Sequence, residues 1–163
     1  MSHRKGMQWF AVVALLLVMA SLGPASAAGS GAVVTKGRFV TLPGGAELGY
    51  DITGTAVMVR NRDNGGVTRV KVTVAGLDPS TTYKVHVHNA LCSADPAGGG
   101  HYQNIIGGPV DEFNEIWPVV TTNAAGNGIG TARHEAWARP DAQSVVIHWP
   151  VDSGVRLACA DLN

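Results

Sequence analysis

The chain has 163 residues, with 12 Lys plus Arg, 12 Asp plus Glu and a formal net charge of zero at pH 7. That length is enough for one domain with a real core. The neutral balance, without basic runs, offers no electrostatic footprint for nucleic acid and no polybasic segment for a membrane surface.

In chain order, the first 27 residues read as a secretory leader. Arg4 and Lys5 form a basic start, Trp9 to Leu22 an apolar run, and Ala25-Ser26-Ala27 a small-residue cleavage pattern. The apolar run falls short of the ~20 residues needed to span a bilayer, and no second one follows, so no membrane span is expected in the mature chain. Removing residues 1–27 leaves 136 residues (163 − 27), with ten basic against twelve acidic side chains and a net charge of −2. Residues 28–36 are small and polar and read as a flexible tether. Residues 37–163 are then the folded domain, outside the cytoplasm.

Helix signals are nearly absent after the leader. Thr55–Arg60 and Arg69–Val74 read as a hairpin around Asn64-Gly65-Gly66, with the valines of the second strand on one face. Gly76-Leu77-Asp78-Pro79-Ser80 marks a turn. Tyr83–Asn89 is a strand, followed by an irregular Gly-rich stretch from Cys92 to Glu112. Glu115–Thr122 reads as a strand whose Pro118 suits an edge or a bulge. Ile129–Ala138, Ser144–Trp149 and Val155–Leu162 follow as strands. About eight short antiparallel strands with frequent turns predict an all-β sandwich or barrel. Its longest connection, residues 90–114, is expected to carry function.

Both cysteines lie in the exported part, where a disulfide forms and persists. Cys92 and Cys159 either pair or remain two separate buried thiols; pairing would close a loop of about 67 residues and contribute on the order of 4 kcal/mol.

The six histidines hold the rest of the chemistry. His3 leaves with the leader. His86 and His88 sit two apart in a strand, so both imidazoles share one face while Val85 and Val87 take the core. Alone, this is either a metal-ligand pair or a pair of surface histidines. His101 follows in the loop behind Gly98-Gly99-Gly100, and His148 alternates with apolar neighbours in another strand. Together they form a possible four-imidazole site, and the absence of thiolate or carboxylate in ligand positions favours copper. His134, flanked by Arg133 and Glu135, reads as an exposed strand residue.

The chain resembles the copper–zinc superoxide dismutase family from about Ala46 to Leu162. The matching residues are Lys84-Val85-His86-Val87-His88, Cys92, Gly99-Gly100-His101, Gly107-Gly108-Pro109, Ser144-Val145-Val146-Ile147-His148 and Arg156-Leu157-Ala158-Cys159. The resemblance implies an eight-stranded Greek-key barrel with a long loop tethered by a Cys92–Cys159 disulfide. It also implies one copper per chain on His86, His88, His101 and His148, and an Arg156 that attracts superoxide. Aligned on Gly107-Gly108-Pro109, the family's three zinc positions read Ile106, Glu115 and Pro118, so no zinc is expected. Only seven residues, Trp149 to Val155, separate His148 from Arg156, so the charged guiding loop is missing too. This is similar to the copper-only branch, with a more open copper. Without zinc, another group must orient His101. Glu115 is the candidate, against its reading as a solvated strand glutamate.

The implied function is copper-dependent disproportionation of superoxide to dioxygen and hydrogen peroxide, with His101 and Arg156 nearest the reaction. The alternative is a non-catalytic copper-binding or copper-delivery module of the same fold. A purely structural β domain leaves the four histidines without a purpose.

Overall fold

The computed structural model describes residues 31–163. The leader, and residues 28–30 of the expected tether, lie outside the described residues. Among the described residues, no helix is long and apolar enough to cross a membrane.

Period-2 burial dominates the chain. In β3 (Thr53–Asn61) and β4 (Val67–Ala75) every second residue is buried, and the two pair antiparallel through a tight turn at Asp63–Gly65. This is the hairpin expected from the Asn-Gly-Gly signal. Before it come β1 (Val33–Arg38), β2 (Val40–Thr41) and a single helical turn, α1 (Pro43–Glu47). After it come β5 (Thr82–Tyr83), β6 (Val85–His88), β7 (Val120–Thr122), β8 (Gly128–His134), β9 (Ser144–His148) and β10 (Arg156–Asp161).

These strands form two antiparallel sheets. One has six strands in the order β1-β3-β4-β8-β7-β5, the other four in the order β2-β10-β9-β6. The apolar core fills the space between them, with Met58, Val72, Tyr83, Val85, Val87, Ile147 and Leu157 fully enclosed. The fold is therefore an all-β sandwich with ten strands rather than about eight. The barrel is corrected: among the described residues no ladder closes one sheet onto the other, and only local bonds such as Lys36 N–H to the Asn163 carbonyl cross between them.

The tether is also corrected in part. Val33 to Lys36 belong to β1 and pair with Arg60 to Val57 of β3. A short segment opening on β-branched Val33, Val34 and Thr35 gains a ladder of backbone hydrogen bonds to β3 along one side, and this outweighs its weak apolar content. The expected strand Glu115–Thr122 is reduced to Val120–Thr122. Pro118 has no N–H to give to a ladder, so pairing begins only beyond it.

Candidate metal centre

β6 and β9 are neighbours in the four-stranded sheet, with His86 opposite Val146 and Val85 opposite Ile147. Val85 and Val87 are fully buried in the core, so alternation sends Lys84, His86 and His88 to the other face. His148 ends β9 on that same face. These histidines are not solvated: His88 and His148 are almost completely enclosed, because the long loop folds over them.

The loop arrives along the free edge of β6. His101 bridges to His88 as an isolated pair, Tyr102 N–H bonds to the Val87 carbonyl at 2.9 Å, and Asn89 N–H to the Gly100 carbonyl at 2.9 Å. Tyr102 is fully buried and pins His101 beside the strand. The approach needs glycine. Gly98 has φ +83°, and a Cβ there would lie 2.8 Å from a Val146 methyl. On its far side the loop is held by the Cys92–Cys159 disulfide, a bridge to β10. Buried Asn114 clasps it further, with its side chain bonding to Ile105 N–H and to the carbonyls of Ile105 and Pro109.

The result is a convergent cluster. One ring nitrogen from each of His86, His88, His101 and His148 lies within 4.8 Å of all the others. The closest approaches are His86 Nδ1 to His101 Nε2 at 2.9 Å and His88 Nε2 to His148 Nε2 at 3.2 Å. Nitrogen ligands about 2 Å from a common ion have this spacing.

The outer nitrogens settle which inner ones carry lone pairs. His148 Nδ1 faces the Ser153 carbonyl at 2.7 Å, His88 Nδ1 the Gly99 carbonyl at 3.3 Å, and His101 Nδ1 the Glu115 carboxylate at 2.7 Å. Those oxygens can only accept, so each Nδ1 donates, and in a neutral ring the Nε2 then points inward as an acceptor. Burial pushes the imidazoles of His86, His88 and His148 down to about 3, 2 and 4, and neighbouring His101 pushes the same way, so they are neutral at pH 7. His88 and His148 then aim lone pairs at each other across 3.2 Å. A cation between them resolves that repulsion, and the residues therefore fit a metal ion. An all-imidazole set suits copper, zinc, iron or nickel.

Glu115 is 1% exposed, which excludes the alternative of a solvated strand glutamate. It lies in the loop before β7. Its Oε2 accepts from both His101 Nδ1 and Trp117 Nε1 (2.8 Å), and its Oε1 from Gln103 Nε2 at 3.3 Å. Each carboxylate oxygen thus has a donor that fixes it, and the carboxylate in turn fixes the His101 ring. Trp117 and Gln103 are not legible as site residues in the sequence, since nothing local marks them.

Arg156, half-buried at the start of β10, donates through Nη1 to the Ala97 carbonyl in the loop. Its charge acts on His88 and His148. A cavity of about 440 Å³ opens over the cluster, walled by Val110, Trp117 and Val119, with Lys84 at its edge. Lys84 is a second cation beside the histidines. The alternation that placed His86 and His88 already put it on their face.

His134 stands apart and corrects its reading as an exposed residue. It is 5% exposed, opposite Thr68, and its Nε2 is buried without a hydrogen-bond partner. Arg133 and Glu135 are its neighbours in sequence, but alternation turns them outward and His134 inward. Among the described residues the one other metal-type cluster is Cys92, Cys159 and Asp161, whose sulfurs are joined as a disulfide. No family model matches the chain, and no curated protein matches it.

Proposed function

We propose that this protein is an extracytoplasmic, copper-dependent superoxide dismutase of the zinc-less kind, with one copper on His86, His88, His101 and His148. The observation that carries the reading is the set of four converging ring nitrogens beneath an open cavity edged by Lys84, with Arg156 held in the loop by the Ala97 carbonyl. A copper ion held there supplies one-electron redox chemistry, by which two superoxide anions and two protons become dioxygen and hydrogen peroxide. The chain's own residues do the rest. Arg156 and Lys84 raise the local concentration of a small anion beside the histidines. His101 Nε2 faces the reaction and is the atom placed to hold a proton there, while its Nδ1–H stays committed to Glu115. Trp117 and Val119 exclude water from one side of the cavity.

A non-catalytic copper module would need the same nitrogens but no anion attraction. Arg156 separates the two readings. In the enzyme, Arg156→Glu slows dismutation at least tenfold, Arg156→Lys slows it mildly, and neither removes copper. Added salt slows the parent more than the Glu variant, because screening weakens attraction and relieves repulsion. Equal rates and equal salt responses in parent and Glu variant would favour the module.

A further inference from the structure

Composition gives a near-neutral protein, yet its charges are segregated. All 12 acidic residues lie outside the six strands of the larger sheet, which hold six cations and no acid. Arg60 turns inward. The other five, Lys36, Arg38, Arg69, Lys71 and Arg133, are exposed on the outer face.

The register arranges them as a band. Lys36 lies opposite Val57, and Val57 opposite Lys71; Arg69 lies directly opposite Arg133. From Arg38 the band runs to Lys36 on β1, crosses β3 at Val57, continues through Lys71 and Arg69 on β4, and ends at Arg133 on β8. It crosses the strands diagonally over roughly 20 Å, taking ~4.8 Å per strand and ~6.7 Å per two residues. Two shallow grooves lie along it and meet at Val57. Like charges directly opposite on a sheet are destabilising. Of the five band cations, only Arg133 has an ion-pair partner among the described residues, Glu135.

We infer that this face binds a linear acidic polysaccharide, whose carboxylate or sulfate groups lie along the band. A diagonal track of cations matches a linear chain of repeating charges better than it matches a lipid plane, which would meet the flanking valines equally. Single-stranded nucleic acid is held through aromatic stacking as well as charge, and no aromatic residue projects from this face. Threonines 55, 73 and 131 flank the band with hydroxyl groups for sugar hydroxyls. The inference is independent of the metal reading, since the face belongs to the sheet that contributes no ligand.

The test is binding of the copper-loaded protein to immobilised heparin, a sulfated uronate polymer. Phosphatidylglycerol vesicles and single-stranded DNA are run in parallel. The parent binds heparin at low salt, with a log–log salt slope of about −3, the size expected for a few released counterions. The double variant Arg69→Glu with Lys71→Glu loses at least tenfold in heparin affinity, Lys36→Glu loses severalfold, and Lys84→Gln, beside the histidine cluster, leaves heparin affinity as in the parent. Circular dichroism and copper content identify any variant that misfolds, and Arg69→Gln with Lys71→Gln then serves in its place. No heparin binding by the parent, no loss in the double variant, or tighter binding to vesicles or DNA would overturn the proposal.

Discussion

The two halves of the histidine cluster are held in different ways. His86, His88 and His148 sit on adjacent paired strands, and their positions follow from backbone ladders and a valine core. His101 sits on a loop whose path depends on glycine, a disulfide, the buried Tyr102 and the Asn114 clasp. Its ring is aimed by a carboxylate that two other side chains hold. The strand half needs little from its surroundings, whereas the loop half works only as an assembly. Binding should therefore be decided mainly by the strands, and turnover mainly by the loop.

The largest expected effect falls on the strand half. His148→Ala removes an enclosed imidazole of the cluster, so on the proposed reading copper binding and dismutation are lost together. The sandwich persists, because His148 faces the cluster rather than the core; metal analysis with circular dichroism checks both points. A variant that keeps full copper and full rate would break the comparison.

The disulfide sharpens it from the loop side. Replacing Cys92 and Cys159 together by Ser reopens a 67-residue loop, a loss of about 4 kcal/mol by loop entropy. It also loosens the segment where Ala97 fixes Arg156. Denaturant unfolding reads the first effect, and the anion dependence of the rate reads the second. Copper retained with slowed turnover is the expected pattern.

Acid acts on the strand half. In the metal-free protein His86, His88 and His148 are neutral, with folded values near 3, 2 and 4. The unfolded chain takes up protons first as pH falls below about 6.5. Their stabilising effect is thus complete above pH 6.5 and is lost on acidification toward pH 4 and below. Thermal unfolding of metal-free protein against pH checks this, and a melting temperature that rises on acidification in that window would contradict it.

The smallest effect belongs to Glu115→Gln. The amide can still accept from His101, so copper stays, but it loses the charge that strengthens that bond. A severalfold slower turnover with unchanged copper content is expected. An unchanged rate would return Glu115 to a merely structural role.

The difference between the halves also explains what the sequence reveals. Alternation in Lys84–His88 and Ser144–His148 places three of the four cluster histidines without any tertiary knowledge, because a strand's faces are fixed by period 2. The same rule applies to His134, whose charged neighbours suggest an exposed residue although alternation turns it inward. β1 was hidden because its short polar stretch becomes a strand only through its partner. The enclosure of Glu115, its contacts to Trp117 and Gln103, and the cationic band all depend on which segments meet in space, and residue spacing along the chain does not encode that directly.

On the proposed reading, one copper site without zinc catalyses dismutation. The direct measurement is copper content, zinc content and superoxide-dismutation rate on the same oxidised sample. About one copper per chain, negligible zinc, and a rate that scales with copper, vanishes with a chelator and returns with added copper are predicted. A copper-saturated protein that leaves superoxide to decay at its uncatalysed rate, or stoichiometric zinc whose removal abolishes the activity, would contradict it.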